Sequence, residues 1–110
     1  METEKSRLEQ FKEFVEMDPS DAFSRYALAM EYMGIGEFAN AIMQFQEVLR
    51  IEPANAAAYF QSANACESMD DKERAKEFLR KGIQVATEKG DQHAKGEMTA
   101  ALEKLEEDSL

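Results

Sequence analysis

Tryptophan is absent, and cysteine, histidine and proline are scarce: 110 residues hold one Cys, one His and two Pro. The lone Cys66 cannot form an internal disulfide. That excludes a stapled secreted scaffold and fits a reducing compartment. One histidine and one cysteine cannot complete a zinc site within a single chain. No apolar run approaches the ~20 residues that a membrane span requires. Met1 leads into Glu2, Thr3, Glu4 and Lys5, without the apolar core of a signal peptide. The chain is therefore expected to be cytoplasmic, with an intact N-terminus. With only five glycines besides the two prolines, little interrupts helix formation.

Positive charge is also in short supply. Thirteen Lys and Arg face 23 Asp and Glu, a formal net charge of -10. Such a surface repels phosphate backbones and anionic membranes, so neither nucleic acid nor a membrane is an expected partner. The charge keeps the protein soluble. Alternatively, it attracts a basic partner.

What is present is a globular composition, 44% hydrophobic and 33% charged, in a chain of single-domain length. It repeats internally. Pro19 and Pro53 stand 34 residues apart, and at the same offset Gln10 matches Gln44, Phe11 matches Phe45, Glu13 matches Glu47 and Ala22 matches Ala56. A further step links Phe45 to Leu79, Leu49 to Ile83, Ile51 to Val85 and Ala41 to Ala75, with Thr87 in place of the proline.

Each period reads as a pair of helices. Leu28, Ala29 and Tyr32 form an apolar stripe at helical spacing. Gly34-Ile35-Gly36 ends that helix, because glycine tolerates the left-handed turn. A second helix carries Ala41, Ile42, Phe45, Val48 and Leu49, and Glu52-Pro53 closes it. Asn55 is placed to cap a third helix running to about Met69, and Asp70-Asp71 makes the next turn. The helix after it carries Ala75, Phe78, Leu79, Ile83 and Val85 and ends near Lys89-Gly90.

The segment Ala22–Asn55 resembles one tetratricopeptide repeat. The resemblance rests on Leu28-Ala29 and Tyr32 in the first helix, Gly36-Glu37-Phe38 at the turn, Ala41, Phe45 and Val48 in the second helix, and Pro53 at its end. Ala29 and Ala41 let the helices approach, while Tyr32 and Phe45 fill the space beside them. Arg25 departs from the pattern, which favours a large apolar residue there. Residues 56–89 resemble a second, more degenerate repeat, with Tyr59, Ala63, Ala75 and Leu79 retained, Ser62 for leucine and Asp70 for the turn glycine. Residues 4–17 align with the second helix of a repeat that lacks its first, leaving Leu8, Phe11, Phe14 and Val15 in need of a neighbour. Residues 91–107 read as a polar-faced capping helix. The implied fold is an all-α solenoid of about six antiparallel helices, coiled as a right-handed superhelix in one domain.

No catalytic constellation accompanies this pattern, and no enzyme, metal or cofactor is expected. His93 has Glu97 one helical turn away, a surface or groove pair rather than a catalytic one. Cys66 falls on a buried helix face as a packed thiol. Asp70-Asp71 and Glu106-Glu107-Asp108 lack the alternating ligands and fixed glycine of a calcium loop.

The resemblance implies that the first helix of each pair lines a concave face. That face would present Phe23, Tyr26, Met30 and Met33 from the first repeat, and Phe60, Asn64, Glu67 and Ser68 from the second. The last helix would add His93, Ala94, Glu97 and Met98. Aromatic and methionine side chains suit a groove that holds an apolar segment of a partner protein. Two alternatives stand beside it: the last helix folds over these residues, or two copies bury them in a homodimer. Co-chaperones of this family grip a peptide carboxylate with Lys, Asn and Arg. The matching positions here are Tyr26, Met30, Gln61, Asp91 and Lys95, so that use is not expected.

Overall fold

Five of the six helices begin where a short polar side chain takes up a main-chain N–H that the first turn cannot satisfy internally. A computed structural model describes residues 5–109. In it, Ser6 Oγ accepts from the Glu9 amide and opens α1 (Arg7–Met17). Asp21 opens α2 (Ala22–Gly34), Asn55 opens α4 (Ala56–Ser68), Asp71 opens α5 (Lys72–Lys89) and Asp91 opens α6 (Gln92–Asp108). Only α3 (Phe38–Ile51) starts without such a cap. The Ser6 cap places the start of α1 at Arg7, and Glu4, where the N-terminal helix was expected to begin, lies outside the described residues.

The turns follow the repeat. Gly36 takes φ +78° between α2 and α3, and Asp70 takes φ +58° at the matching place between α4 and α5. Asp70 is thus held where glycine would sit without strain.

Each helix packs on the next, and the one substantial non-sequential contact among the described residues is α4 with α6. The result is an elongated stack of 56 × 29 × 19 Å, as expected of an all-α repeat solenoid. Two apolar clusters run through it. One joins Ala29, Ala41, Phe45, Val48 and Ala58, all fully buried. The other joins Ala63, Cys66, Ala75, Leu79, Met98 and Leu105. Half-buried Met33 touches both. The alanines stand at the helix crossings, and Phe45 and Leu79 fill the volume between them. Burying a side chain of that size is worth about 1.5–3 kcal/mol.

The ends differ from the middle. Phe14, Val48 and Gly82 are equivalent by the 34-residue period. Val48 and Gly82 are buried between two flanking helices, whereas Phe14 is 48% exposed because only α2 covers α1. Of the four apolar residues on α1 that need a neighbour, only Val15 is buried; Leu8 and Phe11 are half-buried and Phe14 is exposed. Lys76, equivalent to the buried Ile42, is itself buried, and its Nζ donates to Ser109 Oγ at 2.8 Å. It ties the C-terminal end of α6 to the start of α5.

Candidate partner-binding groove

Two depressions lie along the side formed by α2, α4 and α6. The first, about 460 Å³, opens between the N-terminal ends of α2 and α4, with Phe23, Tyr26 and Ala57 on its walls. The second, about 590 Å³, lies between α4 and α6, where Ala56, Phe60, Ala94 and Glu97 surround it and Met98 forms part of its floor. Glu52, Asn55 and Ala57 line both, so the two depressions are lobes of one groove crossing the N-terminal end of α4.

Local structure explains the placement. Asp21 fixes the start of α2 so that Phe23 projects beside the α3–α4 turn, 78% exposed. Tyr26, almost one turn on, leans inward and meets Phe45 edge-to-face, with ring centroids 5.5 Å apart. Its burial pushes the phenol pKa up, and Gln61 beside it opposes part of that rise. The α3–α4 turn is tied by Asn55, which donates from Nδ2 to Glu52 at 3.0 Å and accepts from the Ala58 amide at 3.0 Å.

The structure brings Phe23, Tyr26, Phe60 and Met98 to the groove, but at different depths. Phe23 is open, Tyr26 and Phe60 are half-buried, and Met98 is 1% exposed. Met98 is therefore a core residue that meets the groove only from beneath, which corrects its expected place on an exposed face. The reason is Gly82, whose bare Cα leaves room on α5 for the Met98 thioether. Met33 is corrected likewise: it bridges the two cores and does not line either lobe. His93 stands 88% exposed outside both lobes, its Nε2 2.9 Å from Glu97 Oε1. Its contact with Glu97 forms as anticipated, but the wall is Glu97 and not His93. Met30, Asn64 and Glu67 continue the same helical faces of α2 and α4 beyond the lobes. Met30 is 37% exposed, and Asn64 donates from Nδ2 to Gln61 at 3.3 Å.

The groove residues missed from the sequence include Lys89 at the end of α5, and Glu52, Asn55 and Ala57 around the α3–α4 junction. The Glu52-Pro53 stop and the Asn55 cap marked that junction as a turn. Which lobes that turn lies between depends on how α2, α4 and α6 stack, and no local signal carries it. Among the described residues α6 packs along α5 and touches α4, and makes no substantial contact with α2.

Cys66 is fully buried with its thiol pKa pushed up, chiefly by burial. No group of three His, Cys, Asp or Glu side chains stands together for a metal among the described residues. None of the described helices is long and apolar enough to cross a membrane.

Capped helix pairs on a 34-residue period, stacked with their first helices toward one groove, define a helical-repeat protein. The tetratricopeptide repeat family matches residues 32–95, and the chain belongs to that family. A tetratricopeptide repeat domain protein from Salinibacter ruber is 32% identical, with 81% of this chain and 90% of that one aligned at a TM-score of 0.75. The type III secretion translocator chaperone SycD of Yersinia enterocolitica is 14% identical, covering 93% of this chain and 71% of its own at a TM-score of 0.86. PcrH, in complex with the chaperone binding region of PopD, is 14% identical, covering 94% and 78% at a TM-score of 0.88. No curated protein matches the chain in sequence.

Proposed function

We propose that this chain is a non-catalytic interaction module that holds an apolar segment of a partner protein in the α2–α4–α6 groove. The observation that carries this reading is Phe23. A phenylalanine 78% exposed at the mouth of a depression, next to the half-buried Tyr26 and across from Phe60, leaves an apolar surface that water wets at a cost. Exposed aromatics beside a preformed pocket are the usual anchors of an interface. The complex of PcrH with a segment of PopD supports the reading at the level of the fold.

The test uses Phe23→Ala and Tyr26→Ala with peptides selected from a displayed random library against the wild-type chain. Both variants are expected to weaken the selected peptides by at least about tenfold, a hot-spot-sized effect. Circular dichroism of Phe23→Ala should match wild type, since Phe23 supports no core. Unchanged affinity in both variants would remove the groove from consideration.

A second reading, a homodimer, is favoured by the exposure of Phe14 and Met17 on α1 and of Phe23 on α2, apolar groups that a second copy would bury. Light scattering across a concentration series decides between them. A mass of 12.5 kDa throughout leaves the groove free, and a doubled mass lost in Phe23→Ala identifies the second copy as its occupant.

A further inference from the structure

Resting on the groove reading, we infer that the occupant is a cationic segment, with Lys or Arg flanking the apolar residues that reach Phe23, Tyr26 and Phe60. The observation is the sign of the rim. Glu52 stands at the point shared by both lobes, and Asp91 and Glu97 stand on the α6 side. Among the described residues the one cation lining either lobe is Lys89, and its Nζ already donates to the Ala54 carbonyl at 2.9 Å. Arg25, the nearest cation on α2, is turned away, donating to the Pro19 carbonyl and to Gln44. Among the described residues, an apolar floor thus carries a rim of negative charge whose one lining cation is already engaged.

The helix ends do not reverse this. Residues at the starts of α2, α4 and α6 line the groove, and a helix N-terminus ordinarily favours an anion. Here each helix already has one first-turn amide engaged by its own cap. Asp21 accepts from Phe23, Asn55 from Ala58 and Asp91 from Ala94, at 3.2, 3.0 and 3.1 Å. Two of those three caps are themselves carboxylates. An entering carboxylate meets like charge from Glu52, Asp91 and Glu97. An entering ammonium or guanidinium meets the reverse. His93 takes part of the Glu97 carboxylate from its own helix, and Asn55 occupies one Glu52 oxygen in the same way, so each carboxylate keeps its remaining acceptor capacity for the occupant.

The experiment separates the local rim from the general field of a chain with net charge -10. Peptides selected from the random library are sequenced and compared with the unselected pool. One strong binder is then measured by fluorescence anisotropy against three proteins: wild type, Glu52→Gln with Glu97→Gln, and Glu103→Gln with Glu107→Gln. The last pair lies toward the far end of α6 and changes net charge equally. Expected are enrichment of Lys and Arg around apolar positions, a loss of about fivefold in the rim variant and less than about twofold in the distal one, as for two exposed ion pairs. Equal losses in both variants overturn the inference, because the general field then suffices. Peptides that depend on Tyr26 and Phe23 but show no basic enrichment overturn it while leaving the groove reading intact. Binders that ignore Tyr26 and Phe23 overturn both.

Discussion

Met98 on α6 occupies the notch that Gly82 leaves on α5. A Cβ at residue 82 would collide with the Met98 sulfur and lie 2.8 Å from Cβ of Tyr59 on α4. One missing side chain therefore sets how closely three helices meet. Because α6 supplies a wall of the groove, it also sets the groove's width.

Gly82→Ala tests this. The methionine tip can move, but a Cβ on the neighbouring helix moves only with its backbone. The variant should lose about 1–3 kcal/mol, as overpacked cores do, despite the better helix propensity of alanine. Chemical denaturation reads the loss. A pairing of Gly82→Ala with Met98→Ala should recover part of it, since the two sites share one space.

The two turn positions should respond with opposite signs. Gly36 and Asp70 occupy the same left-handed place in successive repeats. Gly36→Ala should destabilise by about 1 kcal/mol, and Asp70→Gly should stabilise by up to about 1 kcal/mol. Thermal melts of the two variants against wild type give the comparison.

Stability should fall on the alkaline side. The Cys66 thiol and the Tyr26 phenol both have pKa values raised in the folded chain, chiefly by burial. The unfolded chain therefore releases their protons first. Their contribution is intact below the ordinary thiol and phenol values and is lost as pH climbs through and above them. Denaturation midpoints should drop above about pH 9, and Cys66→Ala should flatten the first part of that drop. Consistently, Cys66 should resist thiol reagents until the chain unfolds.

Lys76 carries a different lesson about burial. Its stem is packed among apolar neighbours while its Nζ reaches Ser109 and Glu73. Lys76→Met keeps the stem and should change stability by less than about 1 kcal/mol. Lys76→Ala removes the packing and should cost about 1–3 kcal/mol. Equal effects in both variants would place the energy in the ammonium rather than in the stem.

Several features were legible because they are local. Pro19, Pro53, Gly36, Asn55, Asp70 and Asp91 act through their own backbone and a few neighbours, so they announce helix starts and stops wherever the rest of the chain lies. Ala29, Ala41, Ala63 and Ala75 recur on the period and mark the crossings, and all four are fully buried. The repeat of 34 residues followed, and with it the family and the helical stack.

Depth and company were not local. Helical spacing puts Phe23, Met30, Met33 and Met98 on inward faces, but how far each is covered depends on what the next helices do. α2 has no helix over Phe23, whereas Gly82 lets α5 take in Met98. Phe14 and Val48 share a register position, yet α1 is covered on one flank and α3 on two. The acidic rim is also a tertiary product, because Glu52, Asp91 and Glu97 come from the α3–α4 turn and from α6. The amino-acid sequence by itself determined the helices, their pairing and their repeat, since those rest on interactions within a few residues. Only the tertiary structure decided which apolar groups remain open and which charges surround them, since both depend on which chain-distant surfaces meet.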